Sequence, residues 1–306
     1  MQVFRGFPAA AADHVALTIG NFDGVHRGHQ AMLTRLVEAA ADLNLPAAVL
    51  TFEPQPREFF AREQAPARLS TLRDKLEQFA ALGVERVCIA RFNAALAGLA
   101  ADRFIDQVLV GGLGTRWVLV GADFRFGRGR SGDLALLRAS ARTFSVEAMP
   151  TVSVEGERAS SSAVRAALAR GELERAARIL GRPYAIAGRV AHGDKRGRSL
   201  GFPTANVALR RKPALSGIFV VRVHGVGDSP RAGVASLGVR PTVAVEGEPL
   251  LEVFVFDFDQ AIYGRRVRVE FLHKLRDEER YADLDTLKRQ IHADVAQARD
   301  YFATQK

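Results

Sequence analysis

His26 and His29 end the run Gly20-Asn21-Phe22-Asp23-Gly24-Val25-His26-Arg27-Gly28-His29. An apolar stretch at 14–20 that reads as a strand precedes it. A stretch at 30–45, with Met32, Leu33, Leu36, Val37 and Ala40 at three- and four-residue steps, follows as a helix. The histidine pair therefore opens a helix, where the first N–H groups lack intrahelical partners and the dipole end is positive. A triphosphate can dock at such an end with both imidazoles aimed at one phosphorus. Gly28 keeps a side chain out of the place where a nucleotide would approach. The plainer alternative is a pair of exposed loop histidines. Metal binding by this pair lacks a nearby third ligand set of the zinc kind.

The second half holds a different constellation. A Gly- and Arg-rich stretch, His192-Gly193-Asp194-Lys195-Arg196-Gly197-Arg198, precedes Leu200-Gly201-Phe202-Pro203-Thr204-Ala205-Asn206. Such a turn offers amides and positive charge to phosphates, although no Walker loop occurs in the chain. If the segment is extended, Thr204 and Asn206 present neutral oxygens on one side, donors of the hard kind that suit Mg²⁺. An ordinary β-turn accounts for the pattern equally well. Glu252 opens the alternating stretch Glu252-Val253-Phe254-Val255-Phe256, a lone carboxylate among apolar residues; a solvent-facing strand glutamate is its plain reading. Residues 127–132 match GxGxxG, but the acidic residue of a dinucleotide fold is due about 20 positions on, closing the next strand. Glu147 comes too early and Glu155 too late. A cationic substrate loop is the better reading, beside that of a Gly-rich turn with no function.

The elements that must position these residues change character midway. In the first half, strands at 14–20, 47–52, 86–92 and 116–120 alternate with helical stretches at 30–45, up to about Gly83, at 102–110 and at 133–142, and 144–153 is extended. Such alternation predicts an α/β fold with a doubly wound parallel sheet, whose ligands bind beyond the strands' C-terminal ends. A helical stretch at 161–180 leads to a turn-like hinge at 181–184. Beyond it come β segments at 184–190, 217–223, 232–237, 250–258 and 266–272 with no room for crossover helices, which predicts an antiparallel β-barrel or sandwich. A closing helix at 283–302 lines up Leu284, Leu287, Ile291, Val295 and Phe302.

Composition bounds the rest. The 306 residues suit two domains, and 48% hydrophobic with 25% charged residues is a globular composition. No apolar run reaches the ~18–20 residues of a bilayer span. Residues 1–12 lack the apolar core of a signal peptide and read as mature sequence. The lone Cys88 permits no internal disulfide, fits a reducing cytosol, and reads as a buried strand thiol. Lys+Arg 43 against Asp+Glu 34 gives a net charge of +9, mostly arginine, which suits anionic partners.

The run 20–29 resembles the HxGH signature of nucleotidyltransferases, and its surroundings resemble bacterial bifunctional riboflavin kinase/FAD synthetases. Thr51-Phe52-Glu53-Pro54-Gln55-Pro56, with Phe59 and Phe60, resembles that family's TFxPxP segment, with Gln55 where His is usual. Residues 121–127 resemble its GxDFRFG loop, and Ser160-Ser161-Ser162 with Arg165 its SSTxxR element. Residues 201–206 resemble the kinase signature GFPTAN. Ile262-Tyr263-Gly264 resembles a DLYG turn, with Ala261 where Asp is usual. The resemblance covers nearly the whole chain.

It implies an FMN adenylyltransferase domain at 1–182 and a riboflavin kinase barrel with a C-terminal helix at 183–306. For adenylyl transfer it implies His26 and His29 as catalytic residues, with Gly20, Asn21, Phe22, Asp23, Gly28, Ser160, Ser161 and Arg165 on ATP. For the kinase it implies Glu252 as general base, Gly193, Lys195, Gly197, Thr204 and Asn206 on ATP, and Thr204 and Asn206 on Mg²⁺. Pro56, Phe60, Asp123, Phe126 and Arg276 are the implied flavin contacts. Riboflavin, FMN and ATP are the expected partners, with no nucleic acid or membrane, in the cytoplasm; oligomeric state stays open. A nucleotidyltransferase of another substrate would leave GFPTAN and Glu252 unexplained. A class I tRNA synthetase would want a KMSKS-like lysine loop. A nucleic-acid binder would account for the charge, but the second half offers neither recognition helix nor paired aromatic platform.

Overall fold

The computed structural model describes residues 1–192, 202–209, 211–239 and 249–305. They form two compact units, one of Met1–Pro66 with Leu72–Ala159, the other of Ala67–Thr71 with Ser160–Lys306.

The first unit is built on a parallel six-stranded sheet. Its elements are β1 (Gln2–Arg5), β2 (Val15–Ile19), α1 (Arg27–Asp42), β3 (Ala47–Glu53), α2 (Pro56–Phe60), α3 (Leu72–Ala81), β4 (Arg86–Arg91), α4 (Ala94–Ala97), α5 (Ala101–Arg103), β5 (Thr115–Gly121), α6 (Leu134–Ala139) and β6 (Ser145–Met149). The strands lie in the order β1-β4-β3-β2-β5-β6. The chain thus winds from β2 outward through β3 and β4, then returns to the other side of β2 with β5. This reversal opens a crevice beyond the C-terminal ends of β2 and β5. All five residues of β2 are buried, as expected of a central parallel strand covered on both faces. One face packs Leu17, Ile19, Leu50 and Val118 under Phe104, Ile105 and Leu109. The other packs Ala16, Val49, Val87 and Leu119 under Leu33, Leu36 and Phe79. Cys88 lies buried in β4 with a free thiol whose pKa burial raises.

Two features of this unit depart from the expected alternation. Residues 2–5, which carry no strand signal, add β1 at the sheet's edge, exposed along its whole length. The helix expected at 102–110 runs instead as a π-helix over Phe104–Gly112, burying Phe104, Ile105, Val108 and Leu109. A two-stranded hairpin, β7 (Ser153–Val154) and β8 (Glu157–Arg158), closes the unit.

The second unit begins with α7 (Ser161–Ala169) and α8 (Leu173–Leu180). The single helical stretch expected at 161–180 is therefore corrected to two helices. They break at Gly171, whose φ of +74° is a left-handed conformation that suits glycine. Gly181, φ +75°, then ends α8 at the expected hinge. A closed antiparallel barrel follows: β9 (Ala185–Ala191), β10 (Thr204–Ala208), β11 (Gly217–His224), β12 (Arg231–Val239), β13 (Pro249–Val255) and β14 (Arg266–Arg276), in the order β10-β13-β12-β11-β14-β9. β10 carries no strand signal of its own in the sequence. The last helix, α9 (Leu284–Thr304), sets Ala298 against Val220 and Phe256, with Val295 and Phe302 beside them. Leu284, placed on its apolar face by periodicity, is 68% exposed.

Candidate active sites

In the first unit the histidine run forms the turn between β2 and α1. His26 is the N-cap of α1, extended at φ −70°, and its Nδ1 accepts from the His29 N–H at 3.4 Å. The two imidazoles stack with centroids 3.6 Å apart. The turn reaches this geometry through three left-handed residues, Phe22 (φ 49°), Gly24 (φ 81°) and Val25 (φ 43°). For Phe22 and Val25 that conformation costs about 1–2 kcal/mol each, so surrounding packing must hold it. Phe22, only 1% exposed, sets its ring edge-on to Phe79 and tilted against His29. Its side chain belongs to the core, and the neighbouring Asp23 is buried as well. A Cβ at Gly28 would lie 3.2 Å from both the Ala159 carbonyl and the His26 ring. Glycine there lets chain and imidazole approach closely.

The pKa of His29 is held well below 6.5, by burial first, then by the charges of His26 and Lys75. Its imidazole is neutral at physiological pH, able to donate one N–H without adding a charge. The His29 Nδ1 and the Asn21 Oδ1 are buried with no hydrogen-bond partner among the described residues. Both retain hydrogen-bonding capacity for a ligand.

Beside this turn lies a cleft of ≈ 760 Å³, lined by Gly20 and Asn21 at the end of β2, Pro56 and Phe60 of α2, and Asp123 and Phe126 beyond β5. Two ATP-side expectations and four flavin-side ones thus line one cleft, which opens at the sheet's switch point. Phe52 and Phe92 also line it, and Phe60, 68% exposed, stacks edge-on with Phe92. An aromatic-walled cleft of this size fits a planar heterocycle. Phe92, a lone aromatic after a strand, carries no sequence signal. Asp123 pairs with Arg158 at 2.6 Å, a hydrogen bond that lowers the carboxyl pKa. Gln55, the departure from the usual His, is the N-cap of α2, and its N–H donates to the Glu58 carboxylate at 2.9 Å. Pro56 takes the first helical position. Arg130 of the GxGxxG-like loop lines the same cleft at φ +59°.

In the second unit Ser160 is the N-cap of α7, its Oγ accepting from the Ala163 N–H at 3.1 Å. Ser161 is the first residue of that helix, and Arg165 donates from Nε to the Ala67 carbonyl at 2.6 Å. In the barrel, β10 sets Thr204 opposite Phe254 and Asn206 directly opposite Glu252 of β13. Ser236 of β12 faces Glu252 from the other side. Directly opposed residues share a face with Cβ atoms about 4.5–5.5 Å apart. Thr204, Asn206, Ser236 and Glu252 therefore form one polar row, while Leu251, Val253 and Val255 of β13 turn into the core. The Asn206 Oδ1 is buried without a hydrogen-bond partner among the described residues. A hard oxygen in that condition, two residues from Thr204, fits a divalent cation. Gly193, Lys195 and Gly197 lie outside the described residues.

Arg276, expected beside flavin, directs Nε and Nη2 to the two oxygens of buried Asp294 at 2.9 and 2.7 Å, which raises its pKa. Its Nη1 donates to the Asp277 carbonyl. The turn around Ala261 forms without the usual Asp: Gly264 takes φ +76° and donates to the Val190 carbonyl at 2.8 Å.

The FAD synthetase family model matches residues 9–163, and the riboflavin kinase model matches residues 180–302. A bifunctional riboflavin kinase/FMN adenylyltransferase of Pseudomonas fluorescens is 50% identical over 304 residues, covering 98% of this chain and 97% of that protein. The protein of that description from Escherichia coli K12 is 46% identical, covering 100% of this chain and 99% of its own length. A crystal structure described as a macrolide-efflux protein from Streptococcus pneumoniae superposes with a TM-score of 0.82 at 28% identity, covering 96% of this chain and 97% of that one. Among the described residues here, no helix is long and apolar enough to cross a membrane. On its two family matches and its full-length relatives, this chain belongs to the bifunctional riboflavin kinase/FMN adenylyltransferase family.

Proposed function

We infer that this chain phosphorylates riboflavin to FMN with ATP, and then adenylylates FMN to FAD with a second ATP. The observation that carries the reading is the direct opposition of Asn206 and Glu252 in the barrel, in a chain that also builds the His26–His29 turn. A nucleotidyltransferase alone has no use for the first, nor a simple kinase for the second. We assign adenylyl transfer to residues 1–182 and phosphorylation to 183–306, a division that the two family matches support.

In the kinase step Glu252 accepts the proton of the riboflavin 5′-hydroxyl as that oxygen attacks the γ-phosphorus of ATP; the bond to the β-phosphate oxygen breaks and ADP leaves. Thr204 and Asn206 would hold Mg²⁺, which, when bound, offsets charge on the transferring group. Gly193, Lys195 and Gly197 are assigned to the ATP phosphates by resemblance.

In the adenylyl step the nucleophile is already an anion. An FMN phosphate oxygen attacks the α-phosphorus of the second ATP, the α–β bridge breaks, and pyrophosphate leaves. The protein need only align the reactants and stabilise charge. His26 and His29 donate to the α-phosphate oxygens, and Asn21 offers its open acceptor. The resemblance assigns the leaving phosphates to Ser160, Ser161 and Arg165. We assign the aromatic cleft, with Pro56, Phe60, Asp123 and Phe126, to the flavin, and place the enzyme in the cytoplasm, where ATP is made. Arg276 serves the kinase flavin site by ordering the end of β14 through its ion pair with Asp294.

The test is to incubate the purified protein with riboflavin and Mg-ATP and to separate the flavins by chromatography. FMN followed by FAD is expected. Absence of both products, with riboflavin and FMN each supplied to folded protein, would overturn the reading.

A further inference from the structure

The left-handed backbone of the 20–29 turn needs an external hold, and α3 supplies it. That helix buries two residues, Lys75 and Phe79, one turn apart. Phe79 sets its ring edge-on to Phe22 with centroids 5.3 Å apart. Lys75, fully buried, donates from Nζ to the Asn21 carbonyl at 3.0 Å. Consecutive residues of the turn, Asn21 and Phe22, are thus gripped by residues i and i+4 of one helix, which share a face.

A buried ammonium is costly to keep in a protein interior, and an apolar residue would pack α3 against the sheet more simply. Lys75 does two things an apolar residue cannot. It fixes the peptide that starts the left-handed turn, and it sets a positive charge behind the histidines. We propose that Lys75 is a positioning residue for adenylyl transfer, holding the 20–29 turn from behind through the Asn21 carbonyl and adding a positive charge behind its histidines. The proposal rests on the adenylyltransferase reading of that turn.

The electrostatics point the same way. After burial and the charge of His26, Lys75 is the third cause that holds His29 neutral. His26, from the turn itself, and Lys75, from α3, are the titratable groups that bear on His29. A neutral His29 donates to phosphate without needing a proton from solvent, while the lysine supplies the charge from a buried position.

Three variants of the full chain test this, each assayed for FAD from supplied FMN and for FMN from riboflavin, with the His29 ring titrated by NMR. Lys75→Met should lower the adenylylation kcat by about 10- to 100-fold, the range expected for misaligned reacting groups. Its kinase kcat should stay unchanged, its His29 midpoint should rise, and the acid limb of its FAD pH profile should move up with that midpoint. Lys75→Gln keeps a donor within reach of the carbonyl and so tests the charge should the Met variant not fold. It should raise the His29 midpoint with a smaller loss of turnover. Lys75→Arg keeps the charge and should leave the midpoint near that of the wild type. Unaltered FAD turnover and His29 titration in Lys75→Gln overturns the proposal. So does equal loss in all three variants with no movement of the midpoint, which is the signature of packing alone. Wild-type protein that makes no FAD fails the functional reading instead, whatever the variants do.

Discussion

Asn206 and Glu252 face each other in register across the β10–β13 ladder, an amide oxygen with open valence set beside a carboxylate. On the proposed kinase reading, a carboxylate that takes a hydroxyl proton must stand close to the groups that hold the phosphoryl being attacked. The antiparallel ladder sets the two residues side by side.

Removing the base while keeping its shape isolates its role. Glu252→Gln should slow FMN formation by about 10²- to 10⁴-fold, the usual worth of general-base assistance. FAD formation from supplied FMN should be unchanged. Both rates come from one chromatographic assay, and equal loss of the two would remove Glu252 from its assigned place.

Across the ladder, Asn206→Ala deletes the open oxygen. The kinase should then demand more Mg²⁺, seen as a right-shifted metal titration of FMN formation, with adenylylation of FMN unaffected. An unshifted titration would free Asn206 from the metal.

His29→Ala should block FAD while FMN still accumulates. The sign of its pH dependence follows from the lowered pKa. The folded state releases the His29 proton more readily than the unfolded chain, whose histidine titrates near the ordinary value of 6.5. This group's contribution to stability is full above pH 6.5 and is lost as pH falls through the depressed folded value. Urea midpoints of wild type and His29→Ala should therefore converge on acidification and separate near neutrality.

The pair Arg276–Asp294 ties the end of β14 to α9 with both partners largely shielded. Truncating one member of a buried pair leaves the other charge uncompensated, which typically costs about 3–5 kcal/mol. Asp294→Ala should lower the urea midpoint accordingly. Asp294→Asn, which still accepts one hydrogen bond, should fall between. If neither moves the midpoint, α9 does not depend on this pair.

How much of this is readable from residues alone differs element by element. Strands β2 to β5 are legible because parallel strands covered on both faces become continuous apolar runs. β1 is not, since Gln-Val-Phe-Arg at an exposed edge has neither alternation nor length. The histidine turn announces itself by composition and place, whereas Thr204 and Asn206 stand out only through the resemblance of residues 201–206 to the kinase signature. Lys75 does not: a lysine in an amphipathic helix reads as solvent-exposed, and only packing against the sheet reveals it as fully buried. The cleft wall is partly legible through Pro56 and Phe60, whereas Phe92 joins it only because β4 lies beside β3. The break at Gly171 turns on one backbone angle, which periodicity does not encode.

Along β13 the residues alternate between core and polar row, Leu251 and Val253 inward at 0% and 1% exposure, with Glu252 between them on the other side. Deleting a single residue ahead of Glu252 within this strand would carry the carboxylate into the core and put a valine on the polar row. The same deletion in a connecting loop would change only a path length. Descendants of this chain can therefore vary the length of those loops that carry no site residue, while the barrel strands can diverge only by exchanging one side chain for another.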